Sequence, residues 1–276
     1  MIDGAKLPQL LYGTAWKEER TEGLTALALD AGFRGIDTAN QRKHYFEVAV
    51  GKAVQAAITA GKLTRDELFL QTKFTFQGGQ DQRLPYDPKA PIATQVRQSF
   101  DSSLEHFGTD YLDSFVLHGP NSRGALGPDD IEAWRAIEAL AVAGRTRFVG
   151  VSNFTLAQLR ELLKLAQVAP RFLQNRCCAR TGWDREVRSL CREHGVVYQG
   201  FSLLTANRRE LEHASVKRLC ARSGQSTAEL VFRFAVAVGM LPLTGTSSAE
   251  HMQKDLGALA FPLGPAEVEM LEKLAG

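Results

Sequence analysis

One unit recurs along this chain: an amphipathic helix, a glycine, a short apolar strand and a polar loop. In its first clear copy Leu24, Leu27, Ala28 and Ala31 fall on one helical face. Gly32 is the stop, since a residue without Cβ takes a positive φ at little cost. The strand FRGID begins at once. The same junction returns at Gly108 before YLDSFVL, Gly144 before TRFVGVS, Gly195 before VVYQGFSLL and Gly239 before MLPLTG, with Pro170 as the stop before RFLQN. Thr155 with Gln158, and Ser226 with Glu229, have the spacing of capping boxes and predict helix starts.

Eight strands are predicted: LLYG near residue 10, FRGIDT near 36, LFLQTKF near 71, LDSFVLH near 115, RFVGVSN near 150, FLQNR near 174, VVYQGFS near 199 and LPLTGT near 243. Most are continuous apolar runs, as parallel strands buried on both faces require. Eight such strands alternating with helices predict an α/β fold, a (β/α)8 TIM barrel forming a single domain over residues 1–276. The rival is a doubly wound open sheet, which carries its nucleotide on a G-x-G-x-x-G turn; no such match occurs. Two long loops, Thr75 to Pro91 and Gly119 to Pro128, leave carboxyl ends of strands, where barrel sites form. Gly78-Gly79-Gln80 has the composition of a disordered surface loop.

The net charge of +2 argues against nucleic acid and anionic membranes as partners. No apolar run nears the roughly 20 residues of a membrane span. The opening MIDGAKLPQL lacks a signal pattern. Cys177, Cys178, Cys191 and Cys220 form no C-x-x-C pair and no zinc spacing with a histidine. They read as free thiols of a cytoplasmic protein, with no metal site. No apolar interface is evident, so a monomer is expected.

Polar chemistry gathers at three strand ends: Asp37 in FRGIDTA, Lys73 in ELFLQTK and His118 in YLDSFVLHGP, with Tyr45 shortly after Asp37. On a barrel these three strands are neighbours and their ends share one mouth. Asp37 would neutralise Lys73, which accounts for a lysine on so apolar a strand. The ammonium beside Tyr45 would lower the phenol pKa by roughly 1–3 units and make it a usable general acid. His118 would hydrogen-bond a substrate oxygen and meet the charge that builds on it. Such a kit suits a carbonyl reduced by hydride, and the hydride must come from a cofactor.

With GTAW, GIDTA, a loosened Y-x-E-x-x-x-G from Tyr45 to Gly51, LQTK, DYLDSFVLHGP, GVSNF, LQNR, GFSLL and GTSSAEHMQKDL, the chain resembles the aldo-keto reductase superfamily over residues 13 to 256. The resemblance implies a barrel that reduces aldehydes and ketones with NADPH, NADH being possible. It implies Asp37, Tyr45, Lys73 and His118 as the catalytic tetrad. Ser152, Asn153 and Gln174 would hold the nicotinamide carboxamide and Phe201 would stack on the ring. Gly13 and Thr14 would also touch the cofactor, and Ser202, Leu203 and Leu204 would line the pyrophosphate path. Gly245, Thr246, Ser247, Ser248, His251, Lys254 and Asp255 would surround the adenosine end, with helix amides after Ser248 favouring phosphate. Trp16 and Phe74 are candidate substrate-pocket walls.

The family spaces its tyrosine five residues after the aspartate, where Arg42 stands here. Counting back from Glu47 and Gly51 gives His44 instead, so the proton donor is Tyr45 or His44. Where many NADPH-preferring members carry a lysine and an arginine, this chain has Gly245 and His251. A nucleotide-binding regulatory subunit on the same scaffold is the alternative function. A barrel lyase or isomerase with Lys73 as a Schiff base is the third.

Overall fold

A computed structural model describes residues 7–275. Of the opening MIDGAKLPQL, residues 1–6 lie outside the described residues. Strands β1 (Leu11–Gly13), β2 (Gly35–Asp37), β3 (Phe69–Phe74), β4 (Leu112–Leu117), β5 (Thr146–Ser152), β6 (Phe172–Arg176), β7 (Val197–Phe201) and β8 (Leu241–Thr244) pair in sequence order into a closed parallel barrel. β1 closes it by pairing with both β2 and β8. Each predicted strand is present at its predicted place.

Helices α1 (Thr21–Ala31), α2 (Glu47–Thr59), α3 (Ile92–Phe107), α4 (Pro128–Val142), α5 (Leu156–Leu165) and α6 (Arg185–Glu193) follow the first six strands. After β7 come α7 (Arg208–Leu211), α8 (Ala214–Ser223) and α9 (Thr227–Ala237), and after β8 come α10 (Ala249–Gly257) and α11 (Pro265–Glu272). The punctuation is as the sequence expects. Gly32 sits at φ +110° and Gly108 at +62°, in a region that strains any residue bearing Cβ. Thr155 accepts from the Gln158 amide and Ser226 from the Glu229 amide, and both capping boxes close. No described helix is long and apolar enough to cross a membrane.

The barrel interior is built in two layers. Leu11, Phe69, Phe172, Leu241 and Leu243 form an apolar floor, distinct from the larger core between sheet and helices. Strand alternation then lifts Gln71 and Lys73 above Phe69 on the same inward face. Gly150 of β5 has no room for a side chain, since a Cβ would come within 2.8 Å of the Phe172 carbonyl oxygen. The polar layer above the floor carries the candidate site.

Candidate active site

Lys73 is wholly buried, and its ammonium donates to both Asp37 carboxylate oxygens at 2.8 Å and to the Thr38 carbonyl at 2.7 Å. Burial pulls the lysine pKa down, and the Asp37 charge opposes it. The Tyr45 ring centroid lies 5.2 Å from the Lys73 ammonium and 5.7 Å from the His118 ring. Its phenol pKa is raised, by burial first and by the Asp37 carboxylate second. That reverses the expected lowering. The ammonium field is spent on Asp37 at hydrogen-bond distance, so the phenol feels chiefly its own desolvation. Tyr45 therefore holds its proton throughout the neutral range.

His118 stands one residue beyond β4. Burial, and then Lys73, hold its pKa well below the usual range, so the ring is neutral. Its Nδ1 lies 2.7 Å from the Thr75 hydroxyl. The Thr75 carbonyl in turn accepts from the Tyr86 hydroxyl at 2.8 Å. The sequence reading passed over Thr75, although it lies two residues past Lys73 and so on the same inward face. His44 is placed differently from Tyr45. It stacks on Trp16 with centroids 4.0 Å apart, and its Nδ1 pairs with Gln41 Oε1 at 3.0 Å. Tyr45 lines the cavity at the barrel mouth, and His44 is not among its lining residues.

That cavity measures about 570 Å³. Asp37, Tyr45, His118 and the exposed Trp16 line it together with Ser152, Asn153, Gln174, Phe201, Gly245, His251 and Asp255. Gly13, Ser202, Leu203, Leu204, Thr246 and Lys254 complete the predicted residues found there. Trp16, Asn153 and Ser202 all adopt positive φ, near +60°. Backbone strain in three wall residues fits a functional mouth.

Five predicted residues do not line it: Lys73, which is fully buried and reaches the site through Asp37, and four that lie elsewhere. Phe74 is fully buried and packs on Phe76 and Tyr86 behind the sheet, because alternation that turns Lys73 inward turns Phe74 outward. It is not a pocket wall. Thr14 is buried, and its amide and hydroxyl both bond to the Asp37 carbonyl, tying β1 to the end of β2. Ser248 caps α10 and accepts from the His251 amide, so one of the amides expected for phosphate is already engaged. Ser247 is not a lining residue.

Two cations escaped the sequence reading. Arg176, two residues past Gln174 on the inward face, lines the cavity with its guanidinium 5.6 Å from the Phe201 centroid. It has no carboxylate partner among the described residues. Lys254, by contrast, is tied to Glu250 at 2.7 Å. Lys17 is buried with its ammonium 2.7 Å from the Gly245 carbonyl. Lys17 is not among the residues lining the cavity, although Gly245 is. Burial, then Arg20, lower its pKa to about 8.

This last shift has a measurable sign. Between about 8 and the ordinary 10.5 the unfolded chain holds more protons at Lys17 than the folded one does. Stability contributed at this position therefore rises with pH over that window. The difference in urea midpoint between the wild type and Lys17→Met should move in favour of the wild type from pH 8 to pH 10. A difference that is flat over that range would contradict the assignment.

The residues present suit a nicotinamide. Asn153 commits its amide nitrogen to the His118 carbonyl and the Ser152 hydroxyl, and Gln174 commits its own to Asp37 and Gln199. Among the described residues neither side-chain oxygen has a hydrogen-bond partner, and both residues line the cavity together with Phe201. Such a wall matches an aromatic ring bearing a carboxamide. Asp255, hydrogen-bonded by Thr244 and raised by burial to about 6, lines the same cavity.

The family model described as "Aldo/keto reductase family" matches residues 9–275. The chain is 30% identical to an aldo-keto reductase of Mycobacterium avium, covering 99% of this chain and 87% of that one. It is 27% identical to the NADPH-dependent alpha-keto amide reductase of Saccharomyces cerevisiae, covering 99% and 88%. Among solved structures, an aldo/keto reductase from Brucella melitensis superposes with a TM-score of 0.81 at 27% identity, covering 99% and 97%.

Proposed function

The chain belongs to the aldo/keto reductase family, oxidoreductases acting on carbonyls, and on that premise we propose that it reduces an aldehyde or ketone to the alcohol with NADPH, Tyr45 being the proton donor. The observation that carries the reading is the pairing of a protonated Tyr45 with a neutral His118 on one cavity wall. When bound, the reduced nicotinamide supplies the hydride. Ser152, Asn153, Gln174 and Phe201 would hold it. His118, with Nδ1 engaged by Thr75, turns its other nitrogen to the substrate oxygen and fixes its direction. Tyr45 gives that oxygen its proton. The phenolate left behind faces the Lys73 ammonium, which offsets its charge. Asp37 keeps Lys73 charged in a site that would otherwise favour its neutral form.

The name of the yeast relative supports NADPH. Arg176 bears on the substrate. An unpaired guanidinium on the wall favours a carbonyl compound that also carries a carboxylate. The test is to follow cofactor absorbance with a panel of aldehydes, ketones and oxo acids beside their methyl esters. Turnover is expected, with kcat/KM for an oxo acid about tenfold or more above that of its ester. Arg176→Met should remove that advantage and leave the ester unchanged. Tight NADPH binding without turnover of any carbonyl would overturn the reading in favour of a non-catalytic, cofactor-binding role. An oxo-acid preference that survives Arg176→Met would sink the substrate assignment alone.

A further inference from the structure

Beneath the cavity three glutamines and Asp37 form a closed set of hydrogen bonds across the barrel. Gln71 Nε2 donates to Asp37 Oδ1 and to Gln199 Oε1, both at 2.7 Å. Gln174 Nε2 donates to the same two oxygens, at 2.9 and 3.0 Å. Gln199 Nε2 closes the ring by donating to Gln71 Oε1 at 3.0 Å. Gln71 and Gln199 are fully buried and line no part of the cavity.

The orientation of every amide follows from one charge. An ionised carboxylate only accepts, so Gln71 and Gln174 must each turn nitrogen toward Asp37. Each has a second N–H, and both of these meet at Gln199, which must therefore turn its oxygen to them. The nitrogen of Gln199 then faces Gln71, whose oxygen is the acceptor left for it. No amide in the set can flip without setting two donors or two acceptors against each other in a buried layer, at the cost of an unmade bond. Gln174 is the one glutamine of the three that reaches the cavity. Both its N–H groups are consumed below, so the atom it offers upward is an acceptor.

We infer that Gln71 and Gln199 are positioning residues that, by holding the second N–H of Gln174 while Asp37 holds the first, fix which end of the Gln174 amide faces the cofactor, and so demand an N–H donor from the group docked there. The inference rests on the proposed nicotinamide site. Asp37 gains a second role in it: besides holding Lys73, it sets the polarity of a wall residue from across the barrel.

The experiment measures equilibrium binding by protein fluorescence, with NADPH and with its 3-acetylpyridine analogue, in which a methyl group replaces the amide nitrogen. Wild type should bind NADPH about tenfold more tightly than the analogue, the worth of one well-placed hydrogen bond. Gln199→Met keeps the shape and removes the acceptor for Gln174. It should bring the ratio of the two affinities to about threefold or less, chiefly by weakening NADPH. Gln71→Met frees Gln199 to turn over and should move the ratio the same way by less. It stands as the second variant should Gln199→Met fail to fold, with thermal melts monitored for both. An unchanged ratio in the folded variants would overturn the inference. So would equal weakening of both cofactors, which marks general damage to the site. A wild type that binds neither cofactor strikes at the nicotinamide site itself, and the positioning role falls with it.

Discussion

Tyr45→Phe should lower kcat by a factor of about 10² to 10⁴, the usual worth of a positioned general acid, and change NADPH affinity by less than about twofold. The substitution removes one oxygen. The ring remains, and with it the edge contact to His118 and the face toward Lys73. The loss should therefore appear in turnover and leave binding and melting temperature nearly untouched. His44→Ala is the companion variant. It deletes the ring that stacks on Trp16 and should alter KM for bulky substrates more than kcat. If His44→Ala is inactive and Tyr45→Phe is not, the donor is misassigned. A phenol raised by burial also predicts that kcat stays flat with pH through the neutral range, with no loss of the acid form below pH 9.

The second large effect concerns the buried pair. Lys73→Met should destabilise the fold by about 3–5 kcal/mol, because it leaves the Asp37 carboxylate buried without its counter-charge. Gln71 and Gln174 would still donate to it, which holds the cost below that of a bare ion. Asp37→Asn in the same chain removes the stranded charge, and the double variant should recover most of the lost stability. Activity should not return with it, since the phenolate left by proton transfer would then face no cation. Urea unfolding and turnover on Lys73→Met and on the double variant test this together. A double variant no more stable than Lys73→Met would show that the pair is not what holds this layer.

The barrel was legible because its punctuation is local. Gly32 and Gly108 mark helix ends through a backbone angle that depends on no distant contact. Asp37, Lys73 and His118 were legible because charge at the end of an apolar strand is costly unless shared. Phe74 was misread through the same alternation that made Lys73 readable, since adjacent residues on a strand face opposite ways. The direction of the Tyr45 shift was not legible, since it depends on how deeply a loop residue is buried and how fully Lys73 is engaged elsewhere. Lys17 and Arg176 are ordinary charges in sequence, and only the closing of the barrel sets them against Gly245 and Phe201. The segment Gly78-Gly79-Gln80 was read as a candidate for disorder from its composition. It instead belongs to a turn of 3-10 helix, Gln77–Gly79, and a buried Gln80 whose side chain donates to the Asn40 carbonyl at 2.9 Å.

That turn reaches the chemistry without touching it. The Gly79 carbonyl accepts from the Gln41 side chain at 2.6 Å, and the Gln41 carbonyl accepts from the Tyr45 amide at 3.0 Å. The loop after β3 is thus a buttress for the loop that carries the phenol. Drift in residues 77–80 would act on the reaction mechanically. A slack buttress lets the phenol wander, and turnover falls while every wall of the cavity keeps its composition. Relatives that trade this loop for one of another length would be expected to carry their tyrosine at another spacing, because brace and donor must be re-cut together.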